Sequence, residues 1–281
     1  MEIDARLHHL QLLSPDPETC ARFYGRIYGM QVEPDGSDWR CSAPGRCLLF
    51  AAGPANRLGF AAIAFATRTS FEAYRRRVES LVPIGAGRSA LLEPGAFTVT
   101  DPDGNTLMFG VARSQDAPST MPSREAAAAL SARLQHFAVR STRTAALLRF
   151  YRDVLAFAVS DRVEDESGRL RACFLRSDPE HHVIAIFEAQ GCRHDHLSFE
   201  TRDWTALRDW ADRACALGAP IVWGVGRHGP GNDTFFMVHD PDRNLVEISA
   251  ELEVCGPERV ERLWPHEQRT LNLWGSAIMR S

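Results

Sequence analysis

The chain repeats itself, and a repeat restricts the architecture more than any local pattern does, because each copy must fold alike and then pack on its twin. The clearest pair is DPDGNTLM at 101–108 and DPDRNLVE at 240–247, an offset of 139. LHHLQL at 7–12 matches LQHFAV at 134–139, and FYGRIYGM at 23–30 matches FYRDVLAF at 150–157, both at an offset of 127. Setting the AIAF of LGFAAIAF (58–65) on the HLSF of RHDHLSFE (193–200) gives an offset of 134 and places Ala62 opposite His196. Offsets that grow along the chain mean short loop insertions in the second copy.

Within each copy a short apolar strand precedes a helical pattern and then several short strands, after which the series restarts. In the second copy LQHFAVRS reads as a strand, TAALLRFYRDVL as a helix, and RACFLRS and HHVIAIFEA as strands. HDHLSFET begins afresh, with ALRDWADRACALG as its helix and IVWGVG, DTFFMVHD and NLVEISAE as closing strands. The expectation is an α+β chain of four βαβββ units in two tandem modules, each a curved mixed sheet with helices outside. Ser14 or Asp16 is positioned to cap the first helix, and Gly218 to stop the last long one. The modules are expected over 1–112 and 133–253, joined by a linker over 113–132 whose alanine run predicts a short helix. A tail over 254–281 either folds across a cavity mouth or packs at a subunit contact.

Composition narrows the partners. With 281 residues, 44% of them hydrophobic, the chain can bury a real core without staples. A net charge of -4 provides no basic field for a phosphate backbone, which argues against nucleic acid. MEIDARLHHL lacks the basic start and apolar run of a signal peptide, and no run of eighteen apolar residues occurs, so a soluble cytoplasmic protein without a membrane partner is expected. Seven cysteines without a C-x-x-C pair suggest neither a disulfide framework nor a cysteine zinc site.

Strands send alternate side chains to one face, so matching strands of a curved sheet can converge several ligands. The second copy has His136, His196 and Glu247 on such strands, where the first has His9, Ala62 and Met108. Two imidazoles and one carboxylate form the facial triad associated with non-haem Fe(II) and sometimes Mn(II). One ligand of three cannot hold a metal, so the first copy reads as scaffold. A lone histidine on a strand is more often a packed core residue; the weight comes from three residues at corresponding positions of the repeat. His182 opens the last strand of the third unit, with His181 facing the other way, and His228 lies in the glycine-rich GVGRHGPGND. A solvated strand edge and an ordinary loop residue are the alternatives for these. Trp204, Trp210, Trp223, Phe235 and Phe236 could wall an aromatic pocket or fill the core.

LQHFAVRSTRTAALLRFYRDVLAF, HDHLSFE and GRHGPGNDTFFMVHDPDRNLVEISAELE resemble the vicinal oxygen chelate superfamily, and within it the two-domain type I extradiol ring-cleavage dioxygenases. The similarity runs along nearly the whole chain. It implies a degenerate first module and an Fe(II), or Mn(II), held in the second by His136, His196 and Glu247. His182 falls on the family's acid-base histidine and His228 on the histidine that hydrogen-bonds substrate or oxygen. Asn232, Asp233, Met237 and His239 fall in its substrate-binding stretch. The implied partners are a small aromatic diol of catechol type and O2, in a homo-oligomer. One position departs: Met237 stands where the family has a tyrosine that hydrogen-bonds the bound diol, while His239, next but one, shares its face. A non-redox, metal-dependent glyoxalase- or isomerase-like activity and a ligand-binding protein without catalysis use the same sheet. The full triad, with histidine at 182 instead of a fourth Glu or Gln ligand, weighs towards dioxygen chemistry.

Overall fold

The computed structural model describes residues 3–113 and 130–280; the short helix expected over the alanine run lies outside them. The first unit comprises β1 (Ala5–Ser14), α1 (Pro17–Tyr28), β2 (Gln31–Asp35), β3 (Asp38–Ala43) and β4 (Arg46–Ala52). The second comprises β5 (Arg57–Phe65), α2 (Arg68–Glu79), β6 (Gly85–Ala86), β7 (Phe97–Thr100) and β8 (Thr106–Val111). The third has β9 (Ala132–Ser141), α3 (Thr144–Arg149), which continues as a π-helical turn over Phe150–Val154, β10 (Ala158–Glu164), β11 (Leu170–Arg176) and β12 (Ile184–Glu188). The fourth has β13 (Arg193–Thr201), α4 (Trp204–Ala216), β14 (Trp223–Arg227), β15 (Thr234–His239) and β16 (Leu245–Ala250); β17 (Arg262–Pro265) and α5 (Gln268–Leu271) follow. The chain is thus four βαβββ units plus a strap.

Asp16 caps α1 by accepting from the Thr19 amide, and Gly218 follows the last turn of α4 at φ +80, a conformation only glycine adopts without strain. The sheets run β2-β3-β4-β1-β5-β8-β7-β6 and β14-β15-β16-β13-β9-β12-β11-β10-β17. Each is two units joined antiparallel through their first strands, β1 to β5 and β9 to β13. Both junctions share one register, bulges included: Leu7, His9 and Gln11 pair with Ile63, Ala62 and Phe60, as Leu134, His136 and Ala138 pair with Phe199, Ser198 and His196. That register corrects the sequence alignment by two residues. The counterpart of His196 is Phe60, and Ala62 corresponds to Ser198.

The apolar faces of both sheets and their helices share one continuous core, in which Tyr28 of α1 packs on Trp210 of α4. The duplicated DPD turns sit at this junction. Asp240 accepts from the Asn244 amide at 2.8 Å and side chain at 2.9 Å, and then from Tyr24 Oη of the other module at 3.3 Å. Asp101 accepts from Asn105 in the same way, and from Tyr151 Oη of the second module at 3.1 Å. Each turn therefore docks the other module's helical tyrosine.

Candidate metal centre

Three adjacent strands of the second sheet, β9, β13 and β16, bring the triad together. Ser198 pairs with both His136 and Glu247 across the ladder, so those two flank it, and His196 lies two residues earlier on the same face of β13. His136 Nε2 is 3.2 Å from His196 Nε2 and 3.7 Å from Glu247 Oε1, and all three residues are at most 3% exposed. His136 Nδ1 donates to Gln135 Oε1 at 2.5 Å and His196 Nδ1 to Asp195 Oδ1 at 2.6 Å. Both Nε2 lone pairs consequently face each other with a carboxylate beside them. Donors about 2.1 Å from one ion sit roughly 3 Å apart on an octahedral face, so the set fits a divalent cation.

Electrostatics favour the same state. Burial pushes the His136 imidazole down to about 3, against the pull of Glu247. Burial would raise the Glu247 carboxyl, but the His228 hydrogen bond and the charges of His136 and His228 outweigh it and hold it at about 2. Neutral imidazoles and an ionised carboxylate are what metal ligation requires. Ser198 Oγ also donates to Glu247 Oε1 at 3.0 Å.

A cavity of about 20 Å³ opens beside the triad, room for one or two water molecules. His182, His228 and Met237 line it, with Phe174, Phe187 and Trp223 as aromatic wall and Leu271 and Arg280 as cover. His182 precedes β12, which begins at Ile184, so it does not open that strand as the sequence suggested. Its Nδ1 meets His181 Nδ1 at 3.0 Å, and His181 Nε2 faces Asp161 at 3.2 Å, away from the cavity. His228 stacks on Phe235 at 3.8 Å, with Nδ1 donating to the Leu271 carbonyl at 2.6 Å and Nε2 3.4 Å from Glu247 Oε2. Burial lowers its basicity, but the Glu247 bond and the Asp233 charge raise it further. Met237 is the ladder partner of Glu247, with its thioether in the cavity wall.

Other expected residues stand elsewhere. Asn232 is exposed at a loop tip, and His239 is half-buried at the end of β15, so neither reaches the cavity. Asp233 is buried within ligand range of His228 and Glu247, its carboxyl pushed up to about 7 by burial. Of the five candidate aromatics only Trp223 lines the cavity. Trp204 is exposed beside Trp274, Phe235 lies behind His228, and Trp210 and Phe236 are core. In the first module His9 bonds Ser89, Phe60 packs edge-on against it, and Ala62 and Met108 join an apolar cluster. Sequence reasoning missed Gln135, Asp195, Ser198 and Arg280. The first three adjoin ligands within the LQHF and HDHLSF motifs, whereas Arg280 carries no repeat signal.

Residues 133–248 match the glyoxalase/bleomycin resistance protein/dioxygenase superfamily, and residues 9–109 match a glyoxalase-like domain. Metapyrocatechase 2 of Cupriavidus necator is 27% identical over 168 residues, 54% of this chain and 52% of that protein, so the chain aligns with about half of that relative's length. An iron-dependent extradiol dioxygenase of Rhodococcus jostii is 26% identical over 78% of this chain and 71% of its own. The Mn(II)-bound glyoxalase from Novosphingobium aromaticivorans superposes with a TM-score of 0.81 at 24% identity, covering 98% of this chain and 92% of the other. Homoprotocatechuate 2,3-dioxygenase from Arthrobacter globiformis gives 0.82 at 21%, covering 99% and 89%.

Proposed function

Because the chain belongs to the glyoxalase/bleomycin resistance/dioxygenase superfamily, we propose that it is a non-haem Fe(II)-dependent extradiol dioxygenase that opens the ring of a catechol-type diol with O2. The observation that carries this reading is the His136–His196–Glu247 face, whose two Nε2 atoms stand 3.2 Å apart beside an ionised carboxylate. Bound there, Fe(II) supplies Lewis acidity towards the diol oxygens and a route for electrons between diol and O2.

This chain's own residues do the rest. His182 is held far below the usual histidine range, by burial first and then by neighbouring imidazoles, so it is neutral at pH 7. Its Nδ1 is engaged by His181, which leaves Nε2 to accept a diol proton and return it to the opened ring. Because His228 Nδ1 already donates to Leu271, Nε2 donates only when the ring is protonated; that form offers Nε2–H to developing oxyanion charge, where Met237 has no hydroxyl to offer. Phe174, Phe187 and Trp223 present ring faces and edges to an aromatic substrate, and the strap excludes water. The same reading takes the protein as a cytoplasmic homo-oligomer; no helix among the described residues is long and apolar enough to cross a membrane.

A second reading, a Mn(II)-dependent glyoxalase-type isomerase, draws on the Novosphingobium neighbour. Anaerobic loading with Fe(II), then a catechol, then air separates the two. Oxygen uptake with a yellow ring-opened product supports ring cleavage. Metal uptake without oxygen consumption on any diol supports the isomerase, and a protein that takes up no metal refutes both.

A further inference from the structure

The strap that follows β16 does more than cover the cavity. Its Leu271 carbonyl accepts from His228 Nδ1, its Ser276 carbonyl accepts from Trp223 Nε1 at 3.1 Å, and its Arg280 side chain, 3% exposed, enters the cavity wall. There the guanidinium lies 4.3 Å from the Phe187 ring centre and 4.9 Å from that of Trp223. Its Nη2 donates to Asp195 Oδ1 at 3.0 Å, and its Nε lies 3.3 and 3.2 Å from Oδ1 and Oδ2. Asp195 Oδ1 is the oxygen that accepts from His196 Nδ1, whereas Arg140 holds Oδ2 at 2.5 Å. Nothing else among the described residues fixes Oδ1 from the strap side.

Resting on the metal reading above, we propose that Arg280 is a positioning residue for His196, acting through Asp195, so that metal affinity depends on closure of the strap. Asp195 can orient the imidazole only if its own carboxylate cannot swing. Arg140 alone, bound to the far oxygen and partly solvated, leaves that torsion free, and Arg280 closes it. Partners that orient metal-bound imidazoles typically change affinity by about 10–100-fold. Leu271 and Arg280 of the strap both line the cavity, so any opening of the strap would break the same contact.

The test is metal binding by the apoprotein without substrate, by calorimetric titration with Mn(II) and by the visible spectrum of Co(II). Arg280→Ala is expected to bind about 10–100-fold more weakly with an altered Co(II) spectrum, and Arg280→Lys to fall between it and the parent. Trp274→Ala, which removes an exposed strap side chain, should leave affinity unchanged. Affinity in Arg280→Ala equal to or above the parent's overturns the proposal, as does an equal loss in Trp274→Ala, which would make the strap merely structural. If Arg280→Ala fails to fold, parent-like affinity in Arg280→Lys overturns it. A parent protein that binds neither ion refutes instead the metal reading beneath it.

Discussion

Removing one hydroxyl at the module junction, Tyr24→Phe, tests how the duplicated turns hold the halves together. The ring stays packed on Tyr28, Phe50 and Phe199, so no cavity forms and only the bond to Asp240 is lost. Burial pushes the Asp240 carboxyl up to about 6, against the bonds from Asn244 and Tyr24. The folded state therefore holds this proton more tightly than the unfolded chain, whose carboxyl titrates near 4. Stability is withheld by about 3 kcal/mol above pH 6 and regained as the pH falls through that window. At 3.3 Å the bond is long for O–H···O, which places it at the weak end of its class. It is worth about 1.5 kcal/mol to the ionised carboxylate and about 0.5 kcal/mol to the neutral acid. The difference of about 1 kcal/mol raises Asp240 by roughly 0.7 units in the variant. Urea unfolding should thus cost about 1.5 kcal/mol at pH 8 and about 0.5 kcal/mol at pH 5. Tyr151→Phe, which removes the reciprocal bond to Asp101, a carboxyl that burial also raises, should likewise cost stability at pH 8. A loss equal at both pH values, or larger at pH 5, refutes the argument.

Glu247→Gln should weaken Fe(II) or Mn(II) binding by at least about 100-fold while secondary structure persists; calorimetry and circular dichroism check this. His182→Asn should lower kcat by about 10²–10⁴ with metal affinity within about threefold of the parent, which steady-state kinetics alongside metal titration would separate. Ser198→Ala removes a charge-assisted bond worth about 1.5 kcal/mol from Glu247 and should weaken metal binding by about tenfold in the same titration.

The repeat made most of the architecture legible, because it indexes positions before any chemistry is assigned to them. Four βαβββ units, and the convergence of His136, His196 and Glu247 on one face, follow from strand period and register alone. Its error is equally instructive. A slip of one residue would have sent a side chain to the opposite face, whereas the actual slip of two kept Ala62 on the same face as Phe60 and left no mark in the pattern. Only the ladder, where Phe60 opposes Gln11 as His196 opposes Ala138, resolves it. The docking role of the twin DPD turns leaves no mark in the repeat for a related reason. The repeat relates each turn to its own counterpart, while the bonds that the aspartates make run between copies, Tyr24 to Asp240 and Tyr151 to Asp101. Arg280 lies beyond the last repeated strand and has no twin to index it, yet its guanidinium bonds the same Asp195 oxygen that accepts from His196 Nδ1. The repeat thus shows what the two halves share, and the asymmetry that would make one half reactive includes a segment without a counterpart in the repeat.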